Sequence, residues 1–305
     1  MSNGAKVFNS GVKLIQRANA MRGVPGHPPP PFFDYLRNEV SSRLVERLRD
    51  IKRSFPICAD IGATTGSFAR ALASTEDPPG GIQTIIQVES CREMQELCPS
   101  LKQNVFELHR IQAHEEMLPL APRSLDLVVS VLSLHWVNDL PGALTQIRRA
   151  LKPDGCFIGA LLGGDTLQEL RSALILAEQE RCGGISPHVS PMAHLRDCGM
   201  VLQRAGFALP TIDQDKILCP YPDMFTLMHH LQAMGENNAI SDRRMHVPRD
   251  VFIAAAAAYE ALYGKDGILP ATFNVIYLIA WSPDPSQMKP AQAGSADQSI
   301  KEMFQ

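Results

Sequence analysis

The chain reads as α/β, a doubly wound domain on a mainly parallel sheet, and three observations carry that reading. Five short apolar runs recur, at Ile57 to Ile61, Thr84 to Val88, Leu108 to Ile111, Leu125 to Leu132 and Cys156 to Leu162. Between most of them lies a segment long enough for a crossover helix: Ser67 to Ser74, Arg92 to Leu97 and Pro141 to Leu151. A parallel partner is reached only by crossing over the sheet, so strand, helix, strand in repetition predicts parallel pairing with helices on both faces. Third, Leu125 to Leu140 reads as a buried strand that ends in a polar, aromatic mouth, and Leu151-Lys-Pro-Asp-Gly155 as a helix end turning into the next strand. Ligands of such sheets bind beyond the carboxyl ends of the strands, near the switch in strand order.

Bulk properties narrow the class. At 305 residues and 45% hydrophobic, the chain can bury a large core. A net charge of -3 gives no support for a nucleic-acid or membrane surface. The seven cysteines form no C-x-x-C pair and several lie in apolar runs, which predicts reduced, mostly buried thiols. No apolar run approaches the roughly 20 residues that span a bilayer.

Taken in order, residues 1–33 hold Lys6, Lys13, Arg17 and Arg22 and no acid, with Val7, Phe8, Val12, Leu14 and Ile15 available for an apolar patch on a basic helix. That is the composition of a mitochondrial presequence and equally of an ordinary first helix. Pro28 to Pro31 form a stiff linker. Leu36, Val40, Leu44, Leu48 and Ile51 recur at three or four, predicting an amphipathic helix over Asp34 to Lys52. Asp60-Ile-Gly-Ala-Thr-Thr-Gly66 closes the first strand and opens a helix; its glycines permit a tight turn and a close backbone approach to a ligand. His135 and Trp136 end the fourth strand, where a His can move a proton or simply pack. Asn138 and Asp139 suit caps for the helix at Pro141. Helices over Met192 to Ala205, Asp223 to Ala233 and Val251 to Tyr263 are expected as a lid spanning about 183–263, with a last strand at Ala271 to Trp281. The stretch from Ser282 to Gln305 is rich in Pro, Ser, Gln and Ala and reads as a loose tail. His114-Glu115-Glu116 has an H-x-E spacing that is common by chance, and no metal ligand set is assigned.

The 34–281 region resembles a class I S-adenosylmethionine (SAM) methyltransferase, Rossmann-like and with added lid helices. The resemblance implies SAM as cofactor. Asp60, Gly62 and Gly66 match its glycine-rich loop, Glu89 its ribose-binding carboxylate at the end of the second strand, and His114 with Glu115 its adenine-side segment. Two positions depart from it: Thr64 stands at the middle glycine and His114 at the usual Asp.

A narrower resemblance rests on Gly163-Gly-Asp-Thr-Leu-Gln-Glu-Leu-Arg171, Ala177-Glu-Gln-Glu-Arg181, Gly183-Gly-Ile-Ser-Pro-His-Val-Ser-Pro191, Tyr221-Pro-Asp-Met-Phe225 and Leu231-Gln-Ala-Met-Gly-Glu236. In this order they are similar to the mitochondrial complex I assembly factor 5 family, arginine hydroxylases built on the methyltransferase fold. The resemblance implies action in the mitochondrial matrix, peripheral to the inner membrane, on an arginine of an iron-sulfur subunit of NADH:ubiquinone oxidoreductase. It makes Asp165 and Glu169 candidates for holding the substrate guanidinium; the alternative has Asp165 capping a helix from Thr166. SAM carries no transferable oxygen, so an oxidant or metal is implied and left unidentified. A methyltransferase of a small acid or acyl-carrier substrate, and a non-catalytic assembly chaperone, are the other functions this sequence accommodates.

Overall fold

The computed structural model describes residues 6–23, 32–96, 98 and 106–288. The proline linker at 28–31 and most of the tail lie outside them. Seven strands form one sheet in the order β3-β2-β1-β4-β5-β7-β6. They are β1 (Ile57–Ile61), β2 (Thr84–Glu89), β3 (Glu107–Gln112), β4 (Leu125–Val131), β5 (Leu151–Leu162), β6 (Ala208–Tyr221) and β7 (Leu269–Trp281). The first five pair in parallel, whereas β7 runs antiparallel to both β5 and β6. Strand order reverses between β1 and β4, which places a ligand crevice at their carboxyl ends.

Successive strand residues face opposite layers, as the period of two requires. Cys58, Val129, Val131 and Ile158 pack with helices α2 (Tyr35–Arg49), α3 (Ser67–Ala73), α6 (Gln168–Cys182), α8 (Met224–Ala233) and α9 (Arg249–Tyr263). Ala59, Ile61, Val128 and Phe157 pack with α5 (Leu140–Ala150) and α7 (Leu195–Arg204). Buried on both faces, the central strands read as continuous apolar runs. The expected stripe of α2 faces inward, with Leu36, Val40, Leu44 and Leu48 all buried. Asp139 caps α5, accepting from the Gly142 N–H. All seven cysteines are free thiols, and Cys182 is exposed.

The three lid helices expected within 183–263 are present as α7, α8 and α9, and between the first two lies an edge strand not foreseen, β6 (Ala208–Tyr221). Two expectations need correction. Helix α6 begins at Gln168 rather than Thr166 and its N-cap is Leu167, so Asp165 caps nothing. The first helix, α1 (Ser10–Arg22), is turned opposite to its apolar pattern. Leu14 and Ile15 point to solvent, while Lys13 and Arg17 are buried against the domain. It rests on α4 (Arg92–Glu96) through a small cluster of Ala18, Ala20, Met21, Cys91 and Met94.

Candidate active site

The loop after β1 is held tightly against the ends of its neighbours. Gly62 has φ +66°, and a Cβ there would lie 2.0 Å from the Ser133 Oγ at the end of β4, so only glycine fits. Gly66, at φ +76°, likewise has no room beside Cys98 and Gln87. Between them Thr64 adopts φ +51°, a left-handed conformation that is unfavourable for a β-branched residue. That conformation aims its N–H at Glu89 Oε2, 2.9 Å away. Glu89 Oε1 accepts from Cys91 N at 2.8 Å. The β2 carboxylate is therefore buried and fixed at the mouth of the crevice.

Asp60 is also buried, and neither of its carboxyl oxygens has a hydrogen-bond partner among the described residues. Burial, with a smaller push from Glu89, raises its pKa to about 7. Glu115 accepts from Ser133 Oγ at 2.7 Å. Burial alone would raise its pKa, but Arg17 and the serine hydrogen bond bring it below the usual range. His114 lies half-exposed on the segment after β3, its Nδ1 accepting from Glu116 N.

The cation that meets these acids comes from α1. Arg17 Nη1 lies 3.5 Å from Glu89 and 3.2 Å from Glu115, and Nη2 lies 3.3 Å from Ser133 Oγ. Burial opposes the charge, yet Glu89, Glu115 and Glu236 hold the guanidinium protonated beyond its ordinary value. One helical turn earlier, Lys13 Nζ donates to the Gly235 and Asn237 carbonyls and sits 3.2 Å from the Trp136 ring centroid. Burial lowers its pKa well below that of a free lysine, with Glu236 opposing.

A second knot lies beside the first. Glu236 joins Trp136 Nε1 at 2.7 Å, His135 Nε2 at 3.4 Å and Arg37 at 2.6 Å. His135 is buried, which lowers its pKa against the pull of Glu236, so the ring is neutral at pH 7. Trp136 also lines a cavity of about 630 Å³ walled by Leu162, Leu170, Met192, Phe225 and Phe273, in the size range of small-molecule sites.

The structure thus gathers Asp60, Gly62, Gly66, Glu89, His114 and Glu115 around the strand ends, with His135 adjoining through Glu236. Asp165 is exposed in the turn after β5 and lines neither of the cavities beside the strand ends. Glu169 is not available to a substrate, because its carboxylate accepts from both the N–H and the hydroxyl of Thr272. Arg17, Lys13, Ser133 and Glu236 were not singled out as site residues from the sequence. The four-residue spacing of Lys13 and Arg17, which puts both on one helix face, was the available signal.

This sheet order and this crevice define the class I SAM methyltransferase fold. A family model described as a methyltransferase domain matches residues 59–159. The solved YcgJ protein of Bacillus subtilis superposes with a TM-score of 0.53 at 18% identity, covering 80% of this chain and 98% of that one. Among curated proteins, arginine-hydroxylase NDUFAF5, mitochondrial, of Homo sapiens is 44% identical over 97% of this chain and 83% of its own length. Malonyl-[acyl-carrier protein] O-methyltransferase of Xylella fastidiosa is 34% identical over 83% of each. The chain belongs to the mitochondrial arginine-hydroxylase NDUFAF5 family.

Proposed function

We propose that this chain is a mitochondrial arginine hydroxylase acting in the assembly of respiratory complex I, with an iron-sulfur subunit as its client. Its place of action is the matrix, peripheral to the inner membrane; no helix among the described residues is long and apolar enough to cross a membrane. The observation that carries the reading is the extent of the likeness to the human arginine hydroxylase, 44% identity over 97% of the chain, which takes in the lid elements as well as the sheet.

The crevice suits SAM as a bound group. Glu89 stands where ribose hydroxyls would donate, the Gly62–Gly66 loop offers close backbone approach, and the unpartnered Asp60 carboxylate suits an ammonium. His114 and Glu115 would flank the adenine side. When bound, SAM supplies a sulfonium cation with an electrophilic methyl; the oxygen of a hydroxylation comes from a separate oxidant. The chain's own residues hold charge and exclude water: Glu236 is fixed by Arg37 and Trp136, and the neutral His135 ring lies against it. Of the two catalytic candidates, His135 adjoins the crevice through Glu236 and remains the candidate for moving a proton, whereas Asp165 lies outside both cavities.

Mass spectrometry of the client subunit, from cells with and without this protein, tests the assignment. An arginine that loses one oxygen atom when the protein is absent is the expected result. Loss of a methyl group instead would make the chain a methyltransferase of the client. Unchanged modification would overturn the hydroxylase assignment.

A further inference from the structure

We infer that helix α1 is a built-in occupant of the adenosyl pocket, with Arg17 standing in for the positive charge of the ligand, and that SAM enters only as Arg17 withdraws. The inference rests on the reading that this crevice takes SAM.

Charge is the first argument. Arg17 and Lys13 are set against Glu89 and Glu115, both deeply buried, and against Glu236, whose side chain is 7% exposed. Moving α1 away without a replacement would leave Glu89 and Glu115 without their guanidinium beside Asp60, which is strongly unfavourable in a buried site, whereas Glu236 keeps Arg37. The pocket therefore opens to a cation. SAM, with a sulfonium and an ammonium against one carboxylate, is a net cation; S-adenosylhomocysteine, lacking the sulfonium, is not.

Space is the second. With α1 seated, the cavity bounded by Lys13, Arg17, His114, Glu115 and Trp136 is about 190 Å³, below the ~300 Å³ at which small-molecule sites begin. Position is the third. Gln16 and Trp136 line the 630 Å³ cavity, while Lys13, Arg17 and Trp136 line the smaller one. Helix α1 is thus part of the partition between them, and its withdrawal would join a ligand in the crevice to a substrate in the larger space.

The helix is also suited to release. Its apolar contact with α4 is a small cluster separate from the two main cores. The buried Arg17 Nε has no hydrogen-bond partner among the described residues, so the seat is an imperfect one for its guanidinium.

The test uses the full chain. Hydrogen exchange of residues 10–22 is followed by mass spectrometry with and without saturating SAM. Binding of SAM and of S-adenosylhomocysteine is measured calorimetrically for wild type and Arg17→Ala, with circular dichroism to establish that the variant is folded. SAM is expected to accelerate exchange of α1 about tenfold or more. Arg17→Ala should bind SAM about tenfold more tightly, because a ligand that must displace a competing state is weakened by that competition. S-adenosylhomocysteine should bind wild type more weakly than SAM. Exchange of α1 that is unchanged or slowed by bound SAM overturns the inference, as does failure of both proteins to bind SAM. Release of α1 by L-argininamide but not by SAM also overturns it, assigning the pocket to a guanidinium instead. If Arg17→Ala does not fold, the wild-type exchange arm decides. Client hydroxylation is read separately, so its absence with SAM-driven release intact defeats the functional reading and leaves the gate standing.

Discussion

Asp60 has an ionisation coupled to folding. Its ordinary pKa of 3.8 is pushed up to about 7 by burial and by Glu89. Below pH ~4 the carboxyl is protonated in folded and unfolded chains alike. Between ~4 and ~7 the unfolded chain releases a proton that the folded one keeps, so this group's contribution to stability falls as pH rises through that window. At 1.36 kcal/mol per unit the loss is on the order of 4 kcal/mol. Urea denaturation at pH 5 and pH 8 should therefore show wild type losing stability relative to Asp60→Asn; parallel changes in the two proteins would refute it. The His135 contribution runs in the opposite sense, being lost as pH falls below 6.5, but it is common to both proteins. Thr64 is a different kind of strain. A left-handed Thr costs roughly 1–3 kcal/mol, and the conformation directs its N–H onto Glu89.

The central parallel strands β1, β2, β4 and β5 were legible because burial on both faces writes them as apolar runs, and α2 because its stripe has a single period. Edge strand β6 was not: it alternates half-buried and exposed residues, includes Asp213, Asp215 and Lys216, and contains Pro210 and Pro220, so it reads as loop. Helix α1 was misread for a physical reason. Pattern analysis assigns charge to solvent, and Lys13 and Arg17 are buried only because acids from distant segments meet them. The same limit applies to Glu169, which looked like a surface or substrate carboxylate and instead ties the start of α6 to β7 through Thr272. Thr272→Val removes the hydroxyl donor and should destabilise the protein by about 1–3 kcal/mol in chemical denaturation, while leaving hydroxylation of the client within twofold. A large loss of hydroxylation by a folded Thr272→Val protein would restore Glu169 to the site.

The basic N-terminal stretch had two readings that can overlap, and the packing of residues 10–22 favours retention of the helix in the folded protein. A cut after Gly23 would strip both cations from the buried acids, and breaking even one such pair costs about 3–5 kcal/mol. Mass spectrometry of the protein isolated from mitochondria should find α1 retained; a dominant form beginning beyond Arg22 would contradict the docked helix. The order of the sheet has a consequence for synthesis. Strand β7, made last, lies between β5 and β6 and pairs with both. Until Leu269–Trp281 has left the ribosome, the outer edge of β5 stays bare and β6 has no neighbour to lie against. A transcript halted anywhere before that point, even with nine-tenths of the message read, yields a chain with an open, sticky edge, prone to self-association rather than to partial function.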